Sequence, residues 1–495
     1  MRGILASSIG VTCAAALALP LAPPATAAAA RGAPTAEAAT RAGVPAAEPS
    51  VPGSTQSLPL NPLSQDRTSG AAVFGLAPRT VRHFSLLGVV WDDPAAELHG
   101  RVQVRTRATG TGTWSGWQDV ETHNADHAAD PGTAERSSGR VRGATAPLWV
   151  GDSDGVEIRV QAEPEPSGAD SGTASGTASG TASGEARTGE AAGALPAGLH
   201  LELIDPGADP APAEAPGAAA PPPGTAADES RTGVMTAEET AVSEANAGLA
   251  PLGATEIPAL TRAQTEAELL ALRGTEAAGA VDATGTSGQQ QAKPYIGPRP
   301  AITTRRGWGA NEGLRKGGFV YTTKVKAAFV HHTASGNNYS CAQAPSLIRG
   351  FYRYHVVSLG WRDIGYNFLI DKCGRIYEGR AGGVAQPVMG AHTLGFNSNS
   401  MGVAVIGSYG SKKPSSSAVK AISRLTAWKL GLHGMNPKSK TYLTSAGGNL
   451  YGKGKKVRLN VISGHRDGFN TSCPGGKLYG KLGKARSTAA RYQGR

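Results

Sequence analysis

The 495-residue sequence predicts an all-β, sandwich-like domain followed by an α/β domain whose central mixed sheet is flanked by helices. Three observations carry that expectation. Between residues 80 and 205 apolar residues recur with period two and turn signals fall at short intervals. From Pro294 onward, apolar strand-like runs alternate with stretches of helical spacing. Around and between them the chain is rich in Ala, Pro, Gly and Ser; with 67 Gly and 33 Pro, two folded domains with long linkers account for the length better than three.

Taken in order, residues 1–30 read as a signal peptide: Met1-Arg2, an uncharged apolar stretch to Leu19, and small residues from Ala25 to Ala30. No other apolar run approaches the length of a membrane span, so the processed protein is expected to be secreted and free of the membrane. Residues 31–79 are expected to be disordered. The β-rich domain covers 80–205. Val81–Trp91 is strand-like, Arg101–Arg107 alternates polar and apolar, and Trp114-Ser115-Gly116-Trp117 opens another strand. Leu148–Val150, Val156–Val160 and Leu199–Ile204 add more. Trp114 and Trp117 are either sugar-stacking rings or ordinary core aromatics. A low-complexity insertion at about 163–191 contains the repeat Ser171-Gly172-Thr173-Ala174 three times over and cannot form a core. Residues 206–293 form an Ala/Pro/Gly-rich linker with one short helix expected from Thr261 to Arg273, long enough to let the two domains move apart.

In the last domain, 294–495, Ala327–His331 is a strand and Pro345 to about Val357 a helix. Gly365–Ile370 and Arg375–Glu378 make a hairpin, Met401–Gly407 is a strand, Ser417 to Leu430 a helix, and Val457–Ser463 the last strand. This domain is a polycation: Pro294 to Arg495 carries a net +26, against −15 for the rest of the chain. Such a charge bears on partners and favours anionic wall polymers, although a merely solvated basic face explains part of it. A nucleic-acid partner is not expected, since no recognition motif accompanies the charge.

His465 and Cys473 lie eight positions apart after an apolar run, and His331 ends another such run. Neutral imidazole and thiolate suit zinc, and three protein ligands would leave a fourth position open for water. His331 and His332 point to opposite faces of a strand and are not expected to share the site. Beyond Cys13 in the signal peptide, three cysteines remain. With Cys473 in a zinc-like context, Cys341 and Cys373 are the expected disulfide, worth about 3 to 4.7 kcal/mol in the chain-entropy treatment; pairing of either with Cys473 would abolish the metal site.

Six segments occur in one order. They are His331-His332-Thr333, Trp361-Arg362-Asp363-Ile364-Gly365-Tyr366, Tyr377-Glu378-Gly379-Arg380, Gly390-Ala391-His392-Thr393, Ser400-Met401-Gly402-Val403, and Gly464-His465-Arg466-Asp467 through Thr471-Ser472-Cys473-Pro474-Gly475. Together they resemble the peptidoglycan recognition protein family, whose zinc-bearing members are N-acetylmuramoyl-L-alanine amidases, and in particular secreted bacterial members. The resemblance spans about residues 295 to 490. It implies a peptidoglycan (muropeptide) substrate, a Zn2+ cofactor and His331, His465 and Cys473 as metal ligands. It further implies Tyr366 and Thr471 as catalytic groups, and His392, Trp361, Arg380 and Asn397 as substrate-binding residues. Binding-only relatives typically lose the cysteine, which this chain keeps. Where many animal members carry Gly-Trp after the Tyr-Glu-Gly-Arg segment, this chain has Ala381-Gly382. Hydrolysis of the amide between N-acetylmuramic acid and L-alanine is the function implied, with a non-catalytic wall-binding module as the alternative.

Overall fold

The longest strand of the computed structural model, β3 (Ala72–Trp91), shows how the two domains are joined. Its second half is buried on both faces, and alternate residues enter different cores. Leu87, Val89 and Trp91 pack with Val102, Val104, Ile158 and Leu201 inside the β domain. Leu86 and Val90, pointing the other way, pack with Trp149 and Ile204 against Trp308, Ile348, Phe351 and Tyr354 of the C-terminal domain. The near-continuous apolar run Phe84–Trp91 is therefore the signature of a strand covered on both sides. The described residues of both domains form a single compact unit, so the expected independent movement of the two domains is not supported.

The structure describes residues 53–65, 72–163, 195–209, 235–279 and 294–495; the expected signal peptide and the Ser-Gly-Thr-Ala repeats lie outside the described residues. The β domain comprises β1 (Ser54–Pro59), β2 (Asn61–Gln65), β3, β4 (Gly100–Ala108), β5 (Gln118–Val120), β6 (Gly143–Ala144), β7 (Leu148–Ala162) and β8 (His200–Asp205). They form one antiparallel sheet in the order β1-β8-β3-β7-β4-β5, with β2 and β6 also paired to β3. Residues 53–65 and 72–79 are thus ordered, which corrects the expected disorder for that part of 31–79; the rest of it lies outside the described residues. The Ser-, Pro- and Gln-rich stretch has no apolar run to announce it, but β1 is paired with β8 from Ser54↔Asp205 to Pro59↔His200, and Leu60 is buried. Pro62 is tolerated because β2 pairs only with β3.

The 206–293 segment is also more structured than its composition suggests. Arg349 donates to the carbonyls of Pro206 and Gly207. Helix α1 (Ala237–Glu244) is capped reciprocally by Thr236 and Glu239. Short β9 (Glu256–Ile257) and α2 (Arg262–Gly279) follow, and Ile257 and Leu269 are buried in the C-terminal core.

The C-terminal domain contains β10 (Ile302–Thr303), β11 (Ala327–His332), α3 (Ala344–Arg353), β12 (Phe368–Ile370), β13 (Ile376–Glu378), β14 (Ser400–Val405), α4 (Ser416–Leu432), β15 (Lys440–Thr444), β16 (Lys456–Asn460), β17 (Ile462–Gly464), α5 (Gly476–Tyr479) and α6 (Leu482–Gln493). Its sheet runs β17-β11-β14-β12-β13-β10-β9 and mixes parallel with antiparallel pairs. Helices α4 and α6 cover one face, through Ile422, Leu425, Trp428, Leu482, Ala485 and Ala489; α3 covers the other through Leu347, Ile348 and Phe351. The expected single last strand is two: β16 pairs with β15 in a separate hairpin, and only β17 enters the main sheet. Cys341 and Cys373 are disulfide-bonded, leaving Cys473 free.

Candidate metal centre

Strand pairing brings the histidines together. Strands β11 and β17 are parallel neighbours in the register Ala328↔Ile462, Phe329↔Ser463 and Val330↔Gly464, so the next residues, His331 and His465, emerge side by side at the C-terminal ends of the strands. That edge of an open α/β sheet is where ligands characteristically bind. Ala328 and Val330 belong to the core under α4, so His331 points to the opposite face. His332, facing back, accepts a hydrogen bond from the Tyr409 amide at its Nδ1, as expected of a residue outside the site.

Cys473 is returned to the histidines by a tight loop. The Arg466 amide donates to the Cys473 carbonyl, and the Cys473 amide donates to Thr471 Oγ1 at 3.2 Å. Gly475 holds φ +82, and a Cβ there would meet the Tyr409 carbonyl carbon at 2.3 Å, so only glycine closes this turn. His331 Nδ1 lies 3.1 Å from His465 Nδ1 and 3.8 Å from Cys473 Sγ.

The expected open fourth position is filled. His127, from the long connection between β5 and β6, places Nε2 3.9 Å from Cys473 Sγ. One donor atom from each of His127, His331, His465 and Cys473 lies within 4.8 Å of the others, and all four residues are buried. Asp126 steadies His127, its Oδ1 lying 2.8 Å from His127 Nδ1, while its Oδ2 lies 3.5 Å from His465 Nδ1 without a hydrogen bond. Burial would raise the Asp126 pKa, but the hydrogen-bonded His127 holds it below the usual carboxylate value.

The electrostatics suit a cation. Burial, reinforced by His465 and His127, holds His331 well below the usual imidazole value, and burial pushes His465 down to about 3, so both rings are neutral with lone pairs to offer. Burial pushes the Cys473 thiol up, and a metal ion is what would make thiolate stable there. His465 Nε2 and Asp126 Oδ2 are buried without a hydrogen-bond partner, a cost that makes sense at a functional site. The group can hold a metal ion.

The remaining expected residues surround it. His392 does not line an open groove: it is fully buried, with Nδ1 3.2 Å from His331 Nε2 and Nε2 3.3 Å from Ser400 Oγ. It braces the far side of the His331 ring, as outer partners of metal-binding histidines do. Its ring lies on Gly402, where a Cβ would meet His392 Cγ at 2.4 Å. Tyr366 is buried with its ring 5.5 Å from His331 and 5.7 Å from His127, and burial, with the Asp126 charge nearby, keeps its phenol protonated. Trp361 is buried and stacked on His355 at 4.5 Å. Arg380 and Asn397 are occupied from within the chain. Glu135 accepts from both terminal nitrogens of Arg380 at 2.8 Å and from the Arg362 amide at 3.0 Å. Asp130 accepts from Asn397 Nδ2 at 2.7 Å and from the Gly395 amide at 2.8 Å. Outside Glu135 remains a cavity of about 250 Å³, lined also by Arg315, Lys316 and Arg362. Trp114 and Trp117 are not core aromatics: Trp117 is exposed, with Arg159 4.2 Å over its ring, and Arg105 lies over both.

Sequence reasoning missed Asp126, His127, Asp130 and Glu135. One signal was available. The stretch from Val120 to Leu148 is far longer than other turns of the β domain, and its first half, Glu121 to Glu135, carries four carboxylates and no Lys or Arg.

Residues 321–476 match the N-acetylmuramoyl-L-alanine amidase family, and residues 41–186 match the family described as Rv3811 N-terminal galactose-binding domain-like. Peptidoglycan-recognition protein SC2 of Drosophila simulans is 31% identical over 183 residues, 37% of this chain and 84% of that protein. Peptidoglycan-recognition protein 1 of Holotrichia diomphalia is 32% identical over 184 residues, 37% of this chain and 79% of that protein. A solved structure of peptidoglycan recognition protein-LE in complex with tracheal cytotoxin matches at 27% identity, covering 37% of this chain and 92% of that one, with a TM-score of 0.30. No helix among the described residues is long and apolar enough to cross a membrane. With more than two thirds of such relatives' length aligned above 30% identity, and with residues 321–476, which carry His331, His465 and Cys473, matching the amidase family, the chain belongs to the peptidoglycan-recognition protein family of amidase-type proteins.

Proposed function

We propose that the protein is an exported, zinc-dependent hydrolase of the amide joining N-acetylmuramic acid to L-alanine in peptidoglycan. The observation that carries this reading is the buried group of neutral imidazoles and one cysteine at the ends of β11 and β17. Tetrahedral zinc, with bonds of about 2.0–2.1 Å to nitrogen and 2.3 Å to sulfur, spans donor separations of roughly 3.3 Å (N–N) and 3.6 Å (N–S). The separations here are 3.1 Å between His331 and His465, and 3.8 and 3.9 Å from Cys473 to His331 and His127. When bound, zinc supplies a Lewis acid for the scissile carbonyl and lowers the pKa of water toward ~7.

The chain's own residues do the rest. Asp126 and His392 fix the rings they touch. Tyr366, held as the phenol, donates a hydrogen bond to the oxygen that becomes negative as the carbonyl turns tetrahedral, a contribution of about 2.7 to 4 kcal/mol for such donors. Thr471 holds the Cys473 amide and so sets the sulfur's position; its hydroxyl also faces Asp126. Arg380 and Asn397 carry donors suited to the carboxylates and amides of a stem peptide, although here Glu135 and Asp130 take them. Export is supported by the N-terminal apolar run and by the Cys341–Cys373 disulfide, and the +26 charge of residues 294–495 favours contact with anionic wall polymers.

One observation favours a second reading, peptidoglycan binding without turnover: four protein donors close the group, as in structural metal sites. Zinc-loaded intact protein and its His127→Ala variant, incubated with isolated peptidoglycan, separate the two. New L-alanine N-termini, detected by mass, are expected from at least one and lost on adding Cys473→Ser, whose bound zinc should also fall. Their absence from both leaves the binding reading standing.

A further inference from the structure

The connection between β5 and β6 does more than add one donor. From Asp126 to Glu135 it lies against the C-terminal domain over Arg380 and Asn397, two of the residues the family resemblance assigns to substrate. It is seated by side chains as well as backbone. The Leu394 amide donates to the Asp126 carbonyl at 2.9 Å, and Asn397 Nδ2 donates to the Ala128 carbonyl at 2.8 Å. Asp130 and Glu135, buried to about 95%, take the polar groups of Asn397 and Arg380. At its far end the Arg142 amide donates to the Leu359 carbonyl, and Gly360, at φ +74, makes room for the Arg140 carbonyl, which a Cβ would approach to 2.1 Å.

We propose that residues 121–142 form an internal cap that is a competitive occupant of the active site: His127 takes the metal's fourth position while Asp130 and Glu135 take the donors meant for substrate. The intact chain is then latent, and access by water and muropeptide requires the cap to leave. This rests on the hydrolase reading above, yet its geometric half stands apart from it. The first part of the cap, Glu121 to Glu135, carries four carboxylates and no Lys or Arg, so its seating on a domain of strongly positive charge is electrostatically favoured there; Arg136, Arg140 and Arg142 follow in the second part. Its anchors are side-chain contacts and isolated backbone hydrogen bonds on a connection outside both sheets, so it can lift without breaking a strand pairing. The base of the connection is fixed: β6 pairs with β3, and Tyr354 Oη donates to the Thr145 carbonyl at 3.0 Å.

The test uses the full chain loaded with Co2+ as well as Zn2+, comparing wild type, His127→Ala, and the double variant Asp130→Asn/Glu135→Gln, which leaves all four metal donors in place. Three readouts are taken: the ligand-field spectrum of the cobalt form, binding of a soluble muropeptide, and release of L-alanine N-termini. The proposal expects the wild type to show a four-coordinate spectrum that muropeptide leaves unchanged. His127→Ala should show a spectrum that responds to small anions entering the vacated position. Both variants should bind muropeptide at least tenfold more tightly and release N-termini at least tenfold faster than wild type. If wild type already responds to anions, binds and turns over as the variants do, the cap is not an inhibitor and the proposal falls. If the variants open the metal and bind muropeptide but release nothing, the cap stands and the hydrolase reading falls. Unchanged near-UV circular dichroism in the double variant guards against misfolding as the cause.

Discussion

Replacing Glu135 by Gln measures how firmly the cap is held. In the closed structure its carboxylate accepts two hydrogen bonds from Arg380 at 2.8 Å each and one from the Arg362 amide at 3.0 Å. Burial would raise its pKa, but the Arg380 charge holds it below the usual carboxylate value, so it is anionic at neutral pH. Gln keeps the shape and one acceptor oxygen, but leaves the buried Arg380 cation facing an amide nitrogen. With the cap lifted, Arg380 meets water in either protein, so the loss falls on the closed state alone. Hydrogen bonds to charged groups contribute about 1.5 to 3 kcal/mol. At 1.4 kcal/mol per tenfold, the lifted fraction should rise about 10- to 150-fold. Initial rates of muropeptide hydrolysis, normalised to bound zinc, and muropeptide affinity at equilibrium should both rise by that factor while the wild-type lifted fraction is small. A variant with wild-type zinc content whose rate and affinity both equal the wild type's refutes the reasoning.

Gly402→Ala pushes a Cβ into the His392 ring and so disturbs the brace on His331; equilibrium competition with a chelator should show zinc affinity down about 10- to 100-fold with the fold retained. Glu378 is buried beside Asn246 and the Arg305 amide, and burial pushes its pKa from 4.5 up to about 7. Its folded form therefore holds a proton that the unfolded chain releases first, so its contribution is full below pH 4.5 and is lost as pH rises toward 7. Denaturant midpoints across that window should fall more steeply with pH in wild type than in Glu378→Gln; parallel curves would show that the carboxylic acid is not protonated in the fold.

Legibility in the sequence followed the range of the physics. His331 and His465 could be placed because each ends an apolar run, and parallel strands of one sheet deliver their C-terminal ends to one edge. Cys473 could be placed because a Gly- and Pro-containing loop returns it to the strand it has just left. Helices α3 and α4 announced themselves by apolar spacing and by Pro345 and Ser415 near their starts. What stayed hidden depended on contacts between distant parts of the chain. His127 looks like any loop histidine until the two domains are docked, and no local pattern reveals that Leu86 and Val90 face a second core. Strand β1 was lost for a related reason: a polar edge strand is specified by its partner, β8, more than by its own composition. Helix α2 was legible from Thr261 to Arg273, but α1 sat in an Ala-rich background where helical propensity alone is a weak signal.

The pinned base of the cap sets the terms on which anything else can compete with it. Because β5 and β6 hold both ends of the connection to the same sheet, His127 and Glu135 stay near their sites even when lifted, as though present at millimolar concentration. A free muropeptide must exceed that local concentration, weighted by the relative affinities, whatever the dilution of the protein itself. A polymeric wall meets the requirement more easily than a soluble fragment, since one glycan strand presents many stems to the same groove. Discrimination between intact wall and shed fragments would then arise from the tether, with no residue in the groove having to tell them apart.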